Sequence, residues 1–275
     1  MLSYWIHSLD PFIIKFPSHW GIQGIKWYGC AYLLGFLIGY WIFCRWAHSG
    51  KIRLTREQIQ NYLFASFCGI LIGGRLGYVC LYHLDYYIHN PLAIVRIWDG
   101  GMAFHGACLG LFISWCIWGA QQKLSVLSLS DLCIVPGTLG IFLGRCANFI
   151  NGEVYGRMTQ MPWGIIFPVD CFARHPSQLY EALGEGLVLF IWSLKRTHDE
   201  RMHRYPGLLA SHFVIGYSLI RYILEYFREP DAHLIGCFTR GQMYSIVCLL
   251  IGLVAAYRLK KHPIPCERSV FTKQA

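Results

Sequence analysis

Three arginines stand where an apolar chain has least reason to keep them. Arg75, Arg145 and Arg221 each lie inside a long hydrophobic stretch. An ionised side chain at membrane depth costs about 3 kcal/mol on the gentlest scale, so each is a functional hypothesis by default. A guanidinium also offers a planar fork of N–H donors that can grip two oxygens at once. In the segment GRCANFINGEVYGR, residues 144–157, Arg145, Asn148 and Asn151 recur at i, i+3 and i+6, close to one helical face. The pair Asn151-Gly152 then favours a turn. A charged fork beside amide donors suits a phosphate; the competing reading is a buried arginine satisfied by carbonyls at a helix end. A second stripe places Tyr217, Arg221 and Glu225 at i, i+4 and i+8. It suits another phosphate or headgroup contact, against a salt bridge between Arg221 and Glu225 that merely neutralises itself.

Other candidates are less specific. His105 sits among small residues in GGMAFHGACLG and could exchange a proton near neutral pH; a lone histidine also serves as a hydrogen-bonded core residue. Glu181 and Glu185 share a face beyond Arg174-His175-Pro176 and are expected to balance the charge of the arginines. Asp131 follows Ser130 and reads as a helix cap. Arg75, in GGRLGYV, either binds a headgroup or braces the helices around it. Cys146 adjoins Arg145, but i and i+1 side chains diverge on a helix; Cys108 lies one turn from His105, but cysteines scattered through most spans read as packing, so neither is expected to act as a nucleophile.

These groups must be positioned by membrane helices. Of 275 residues, 55% are hydrophobic and 14% charged, against about 25% charged in an ordinary soluble domain. The chain reads as an all-α polytopic membrane protein, a single integral membrane domain. About seven helices are expected, near 25–45, 58–82, 101–120, 131–150, 176–194, 207–227 and 241–258. Pro11, Lys15 and Pro17 interrupt the N-terminal stretch, so no cleavable signal peptide is expected. The net charge of +9 fits basic loops on one side rather than nucleic-acid binding. Fourteen basic loop residues, including Arg45, Lys51, Lys195 and the 259–275 tail, fall on one side, and seven, including Lys26, Arg157 and Arg174, on the other. The positive-inside rule then puts the N-terminus outside and the tail in the cytoplasm. In that arrangement Arg75, Arg145, Arg221, His105 and Tyr28 share one depth, and a single cavity toward the outer leaflet is expected. Nine of the twelve cysteines fall in apolar spans, and no Cys, His and carboxylate set has ligand spacing. Neither disulfides, metal nor cofactor is expected.

Together the stretches KWYG, GGRLGYV, GGMAFHGACLG, GRCANFINGEVYGR, PWGIIFP, RHPSQLYEALGEG, GYSLIRYILEYFREPDAHLIG and RGQMYS resemble the prolipoprotein diacylglyceryl transferases, from about residue 25 to 250. The resemblance implies a seven-helical, metal-free enzyme of the bacterial inner membrane with a small extracytoplasmic head, here residues 151–175. It implies transfer of diacylglyceryl from phosphatidylglycerol to the lipobox cysteine of a preprolipoprotein, with release of glycerol phosphate. By motif, Arg145 and Arg221 match the essential arginines. His105, Tyr28, Asn148, Glu153, Gly156 and Glu225 match further functional positions. Ala147 and Ala107 stand where the family usually or often has glycine. A transporter of an anionic solute would also use intramembrane arginines, but the inverted repeats and broken helices of many transporters are not evident. Other phospholipid headgroup enzymes commonly need metal-binding carboxylate clusters, which the sequence lacks.

Overall fold

The structure, a computed structural model, describes residues 4–17, 19, 23–199, 204–230, 236–262 and 268–272. Residues 231–235 of the matched GYSLIRYILEYFREPDAHLIG stretch, and the basic residues Arg201 and Lys273, lie outside the described residues.

Each of the seven apolar stretches forms helix. The elements are β1 (Trp5–Ile6), β2 (Phe12–Lys15), β3 (Gly24–Lys26), α1 (Trp27–His48), α2 (Arg56–Tyr82), α3 (Leu84–His89), α4 (Phe104–Gln122) and α5 (Val126–Ile150). They continue with β4 (Ile165–Ile166), β5 (Ala173–Arg174), α6 (Ser177–Glu181), α7 (Leu189–Arg196), α8 (Leu208–Leu224) and α9 (Arg240–Lys261). A π-helical stretch, Ala182–Val188, joins α6 to α7. Among the described residues, four helices (α1, α2, α5 and α9) are long and apolar enough to cross a membrane. Large side chains such as Leu37, Phe64, Ile117 and Ile251 stand exposed along the helices, as in a protein whose solvent is lipid.

Local chemistry sets several boundaries. Thr55 and Thr239 each cap a helix by accepting from the N–H three residues on, and Gln58 and Gln242 reach back to close the capping box. Asp131 is not the cap of its own helix. α5 begins at Val126, so Asp131 lies inside it, buried, and accepts the N–H groups of Gly207 (2.6 Å) and Ala210 (2.8 Å). It caps α8 from a neighbouring helix.

The chain forms two compact units. One comprises residues 1–39 and 131–264, the other 40–130 and 265–275. In the first, Leu208, Leu209 and Ala256 form a core with Ile134, Trp192, Tyr205 and Ile215. A small β head, absent from the all-α reading, brings together distant segments. β1 pairs parallel with β4, and β4 pairs antiparallel with β5, while β2 and β3 form a separate antiparallel pair. This small sheet thus joins the N-terminal strand to strands within the 151–175 stretch.

In the second unit, Tyr62 is the centre of the core. Its ring packs against Phe43, Trp115 and Trp118, and its hydroxyl donates to the Leu129 carbonyl at 3.0 Å. α2 and α4 meet backbone to backbone along Gly69, Gly73 and Gly77 facing Gly106 and Gly110. A Cβ on Gly110 would lie 2.8 Å from the Gly73 Cα. Only glycine allows that approach. Residues 268–272 are docked. Val270 and Phe271 are buried, Arg53 donates to the Val270 carbonyl at 2.9 Å, and Val270 donates to Ser128 Oγ at 2.7 Å.

Gly110→Leu therefore forces α2 and α4 apart and should cost at least the ~1–3 kcal/mol of an overpacked core. Thermal melting of detergent-purified protein checks this, with Leu109→Ala on the exposed face as the neutral control. Equal melting temperatures for the two variants would contradict the close helix contact.

Candidate active site

Inside the first unit, three arginines and three glutamates form one connected cluster. α5 supplies Arg145, α6 and the π stretch supply Glu181 and Glu185, α8 supplies Arg221, and Glu225 and Arg228 follow α8. Arg145 Nη1 lies 2.9 Å from Glu181 Oε2, and its Nη2 donates to Glu185 Oε2 at 3.3 Å. Arg221 pairs through Nη1 with Glu181 Oε1 and, at 3.4 Å, with Glu185 Oε1. Its Nη2 lies 2.8 Å from Glu225 Oε2. Arg228 Nη1 donates to Glu181 Oε1 at 3.1 Å. Glu181 thus meets all three arginines. With every group ionised the cluster is electrically neutral, which is what makes its burial tolerable.

The two signs are not equally accessible. Glu181 and Glu185 side chains are 1% and 0% exposed, whereas those of Arg145 and Arg221 are 21% and 15% exposed. The carboxylates form the buried floor, and the arginine side chains are the more exposed members of the cluster. Glu185 lies on the π turn, a local widening that recurs at functional sites. Glu225 is held from behind by the Thr239 hydroxyl, which donates to its Oε1 at 2.9 Å, and by Gly241, which leaves room for the carboxylate.

Beyond Arg145, Asn148 and Asn151 donate from their amides to Glu153 Oε1 at 2.9 and 3.0 Å. The RHPSQLYE segment braces that loop: Gln178 donates to the Glu153 carbonyl at 2.7 Å and Ser177 to the Val154 carbonyl at 3.0 Å. Gly156 fits between two backbones, where a Cβ would lie 2.6 Å from the His175 oxygen and 2.5 Å from the Phe227 oxygen. Its carbonyl accepts from Arg174, which also binds Asp170 (2.5 Å) and Glu229 (3.0 Å). The Arg174 hydrogen bonds hold the Asp170 carboxyl below its ordinary range, and burial lowers His175 below the usual imidazole value. Arg157 donates to the Arg228 carbonyl at 2.9 Å, so the end of the GRCANFINGEVYGR segment fixes the third arginine of the cluster. Tyr217 lies in the same unit, half-buried on α8. Tyr28, in the first turn of α1, shares a 3.1 Å hydroxyl contact with Tyr32.

Arg75 and His105 belong to the second unit. Arg75 donates to the carbonyls of Ile94 (2.8 Å), Ala93 (2.6 Å), Arg96 (3.1 Å), Gly101 (3.1 Å) and Gly100. Nε and both terminal nitrogens are thereby engaged, in five bonds for five N–H groups. That geometry favours the bracing alternative for Arg75 over the headgroup contact. His105 stands in the first turn of α4, its ring edge-on to Phe104 at 5.7 Å. Among the described residues, no three His, Cys, Asp or Glu side chains gather to hold a metal ion.

Sequence reasoning missed several parts. Glu181 and Glu185, read as counter-charges to the arginines, do pair with them; that Glu181 meets three at once was not legible. Arg228, one of the seven basic residues counted on the outer side, is buried against Glu181. Its signal was available in Arg221, Glu225 and Arg228 at helical spacing.

The family described as Prolipoprotein diacylglyceryl transferase matches residues 17–258. A protein of Geobacter sulfurreducens named phosphatidylglycerol–prolipoprotein diacylglyceryl transferase is 41% identical over 260 residues, covering 93% of this chain and 97% of its own. Proteins of the same name from Rhodospirillum centenum (42% over 264 residues, 94% of each chain) and Photobacterium profundum (40% over 262 residues, 93% of this chain and 96% of its own) are similarly close. With a cluster of arginine forks over buried carboxylates built from the same segments, the chain belongs to the prolipoprotein diacylglyceryl transferase family.

Proposed function

We propose that this chain transfers the diacylglyceryl group of phosphatidylglycerol to the lipobox cysteine thiol of a preprolipoprotein. The observation that carries the reading is the pair of part-exposed arginine side chains, Arg145 and Arg221, backed by the buried carboxylates of Glu181 and Glu185. The substrate thiolate attacks the glyceryl carbon bonded to the phosphate oxygen. A C–S bond forms, the C–O bond breaks, and its electron pair leaves with glycerol phosphate. Charge grows on the phosphate as that bond breaks. Fixed cations in a site of low dielectric stabilise it without reorganising at the moment of reaction. Asn148, Asn151, Glu153, Tyr28, Tyr217 and Glu225 are our further headgroup contacts, with Gly156 keeping the backbone slot that orders them. His105 is the candidate base for the substrate thiol. The sulfur belongs to the substrate, so neither Cys108 nor Cys146 carries a covalent intermediate.

The same reading sets the protein in the bacterial inner membrane with seven crossings, its N-terminus and the 151–175 head outside and the tail in the cytoplasm. Support comes from the uneven split of basic loop residues. The acyl chains remain in lipid while the headgroup reaches the arginines.

Lysine keeps the charge but loses the fork. In a lipobox-peptide assay with phosphatidylglycerol as donor, Arg145→Lys and Arg221→Lys should each lower turnover by about 10²–10³. A Cys108→Ala, Cys146→Ala double variant should keep most activity per folded molecule. Near-normal rates for both lysine variants, or a diacylglyceryl adduct on either cysteine, would overturn the mechanism. For the topology, a reporter enzyme active only outside the cell and fused after Lys273 should be silent; an active fusion would reverse the orientation.

A further inference from the structure

We propose that His7 is a positioning residue for the transfer reaction, acting on the loop that holds Glu153. This rests on the reading of Asn148 and Glu153 as headgroup contacts. His7 follows β1 and is buried, with its N–H donating to the Ile166 carbonyl at 2.8 Å. Its Nε2 lies 2.8 Å from the Phe149 carbonyl oxygen, one residue before the end of α5. A carbonyl can only accept, so Nε2 carries the proton and donates. The same carbonyl accepts the Gly152 N–H at 3.0 Å. The last carbonyls of a helix lack partners within the helix; here a side chain from a distant strand supplies one.

The ring has little freedom. Phe167 lies 5.3 Å away, Phe149 5.5 Å and Trp5 5.7 Å, centroid to centroid. Nδ1 is buried with no hydrogen-bond partner, so Nε2 is the ring nitrogen that anchors His7. Gly152 turns the chain at φ 67°, and a Cβ there would lie 3.3 Å from His7 Cε1. Ring and turn therefore define each other's place. On either side of this contact, Asn148 and Asn151 hold Glu153. Losing the His7 bond frees the last turn of α5 and moves both amides together, and small misplacements of binding groups carry large rate costs.

Three variants of the full chain separate positioning from packing. His7→Gln brings an amide N–H to roughly the place of Nε2, His7→Asn falls short of the Phe149 carbonyl, and His7→Phe keeps the ring without the donor. In the lipobox-peptide assay, His7→Gln should hold kcat/KM within about twofold, as expected where the hydrogen bond is kept. His7→Asn and His7→Phe should lower it about tenfold, chiefly through a higher KM for phosphatidylglycerol, with melting temperatures close to that of His7→Gln. Should His7→Phe fail to fold, the Gln and Asn variants decide alone. Equal kinetics for those two per folded molecule, losses that merely follow melting temperature, or failure of all three to fold would overturn the inference. Glu153→Gln is measured in parallel. Unchanged turnover there would refute the underlying headgroup reading, whereas crippled turnover with a normal His7→Asn would refute only the role of His7.

Discussion

The cluster depends on a single buried carboxylate that three arginines share. Glu181 receives Arg145 on one oxygen and Arg221 and Arg228 on the other. Remove it, and Glu185 and Glu225 still meet Arg145 and Arg221, but the buried cluster carries one uncompensated positive charge; breaking such a buried pair typically costs about 3–5 kcal/mol. Keep it, and the cations are held in place. Electrostatic stabilisation of a leaving group is strongest when its donors need not move, so on the proposed reading the constraint that makes the cluster foldable would also preorganise it for the phosphate.

The surrounding structure reads as successive supports for that constraint. Arg157 binds the Arg228 carbonyl, Thr239 donates to Glu225, and Ser177 and Gln178 tie the start of α6 to the Glu153 loop. Asp131 caps α8, the helix that carries Arg221, by accepting two of its otherwise unpaired N–H groups. These links explain why short sequence segments far apart in the chain occur together. Each supplies a hydrogen bond or a backbone slot that another requires.

Much of this was legible in the sequence, and what was missed has physical causes. Apolar runs pointed to the long helices α1, α2, α5 and α9, because exposure to lipid leaves a strong compositional trace. The sharp forks of Arg145 and Arg221 stood out for the same reason: charge is rare there. The strands did not, since β1, β4 and β5 are two residues each, too short to show alternation. Asp131 was misread because its partner is 76 positions away, and a tertiary cap looks the same in sequence as a local one. Glu181 and Glu185 were placed on one helical face, yet their role as a shared floor depends on how three other elements approach them.

The central claim is that the arginines serve the phosphate and do not merely neutralise the glutamates. The direct measurement is a charge-balanced double variant, Arg221→Gln with Glu181→Gln, assayed for both melting temperature and turnover against each single variant. Removing one cation and one anion restores neutrality, so stability should recover toward the parent. Turnover should stay down by about 10² or more, because one of the two forks is gone. Recovery of turnover along with stability would contradict the account and reduce the cluster to a self-neutralising salt bridge.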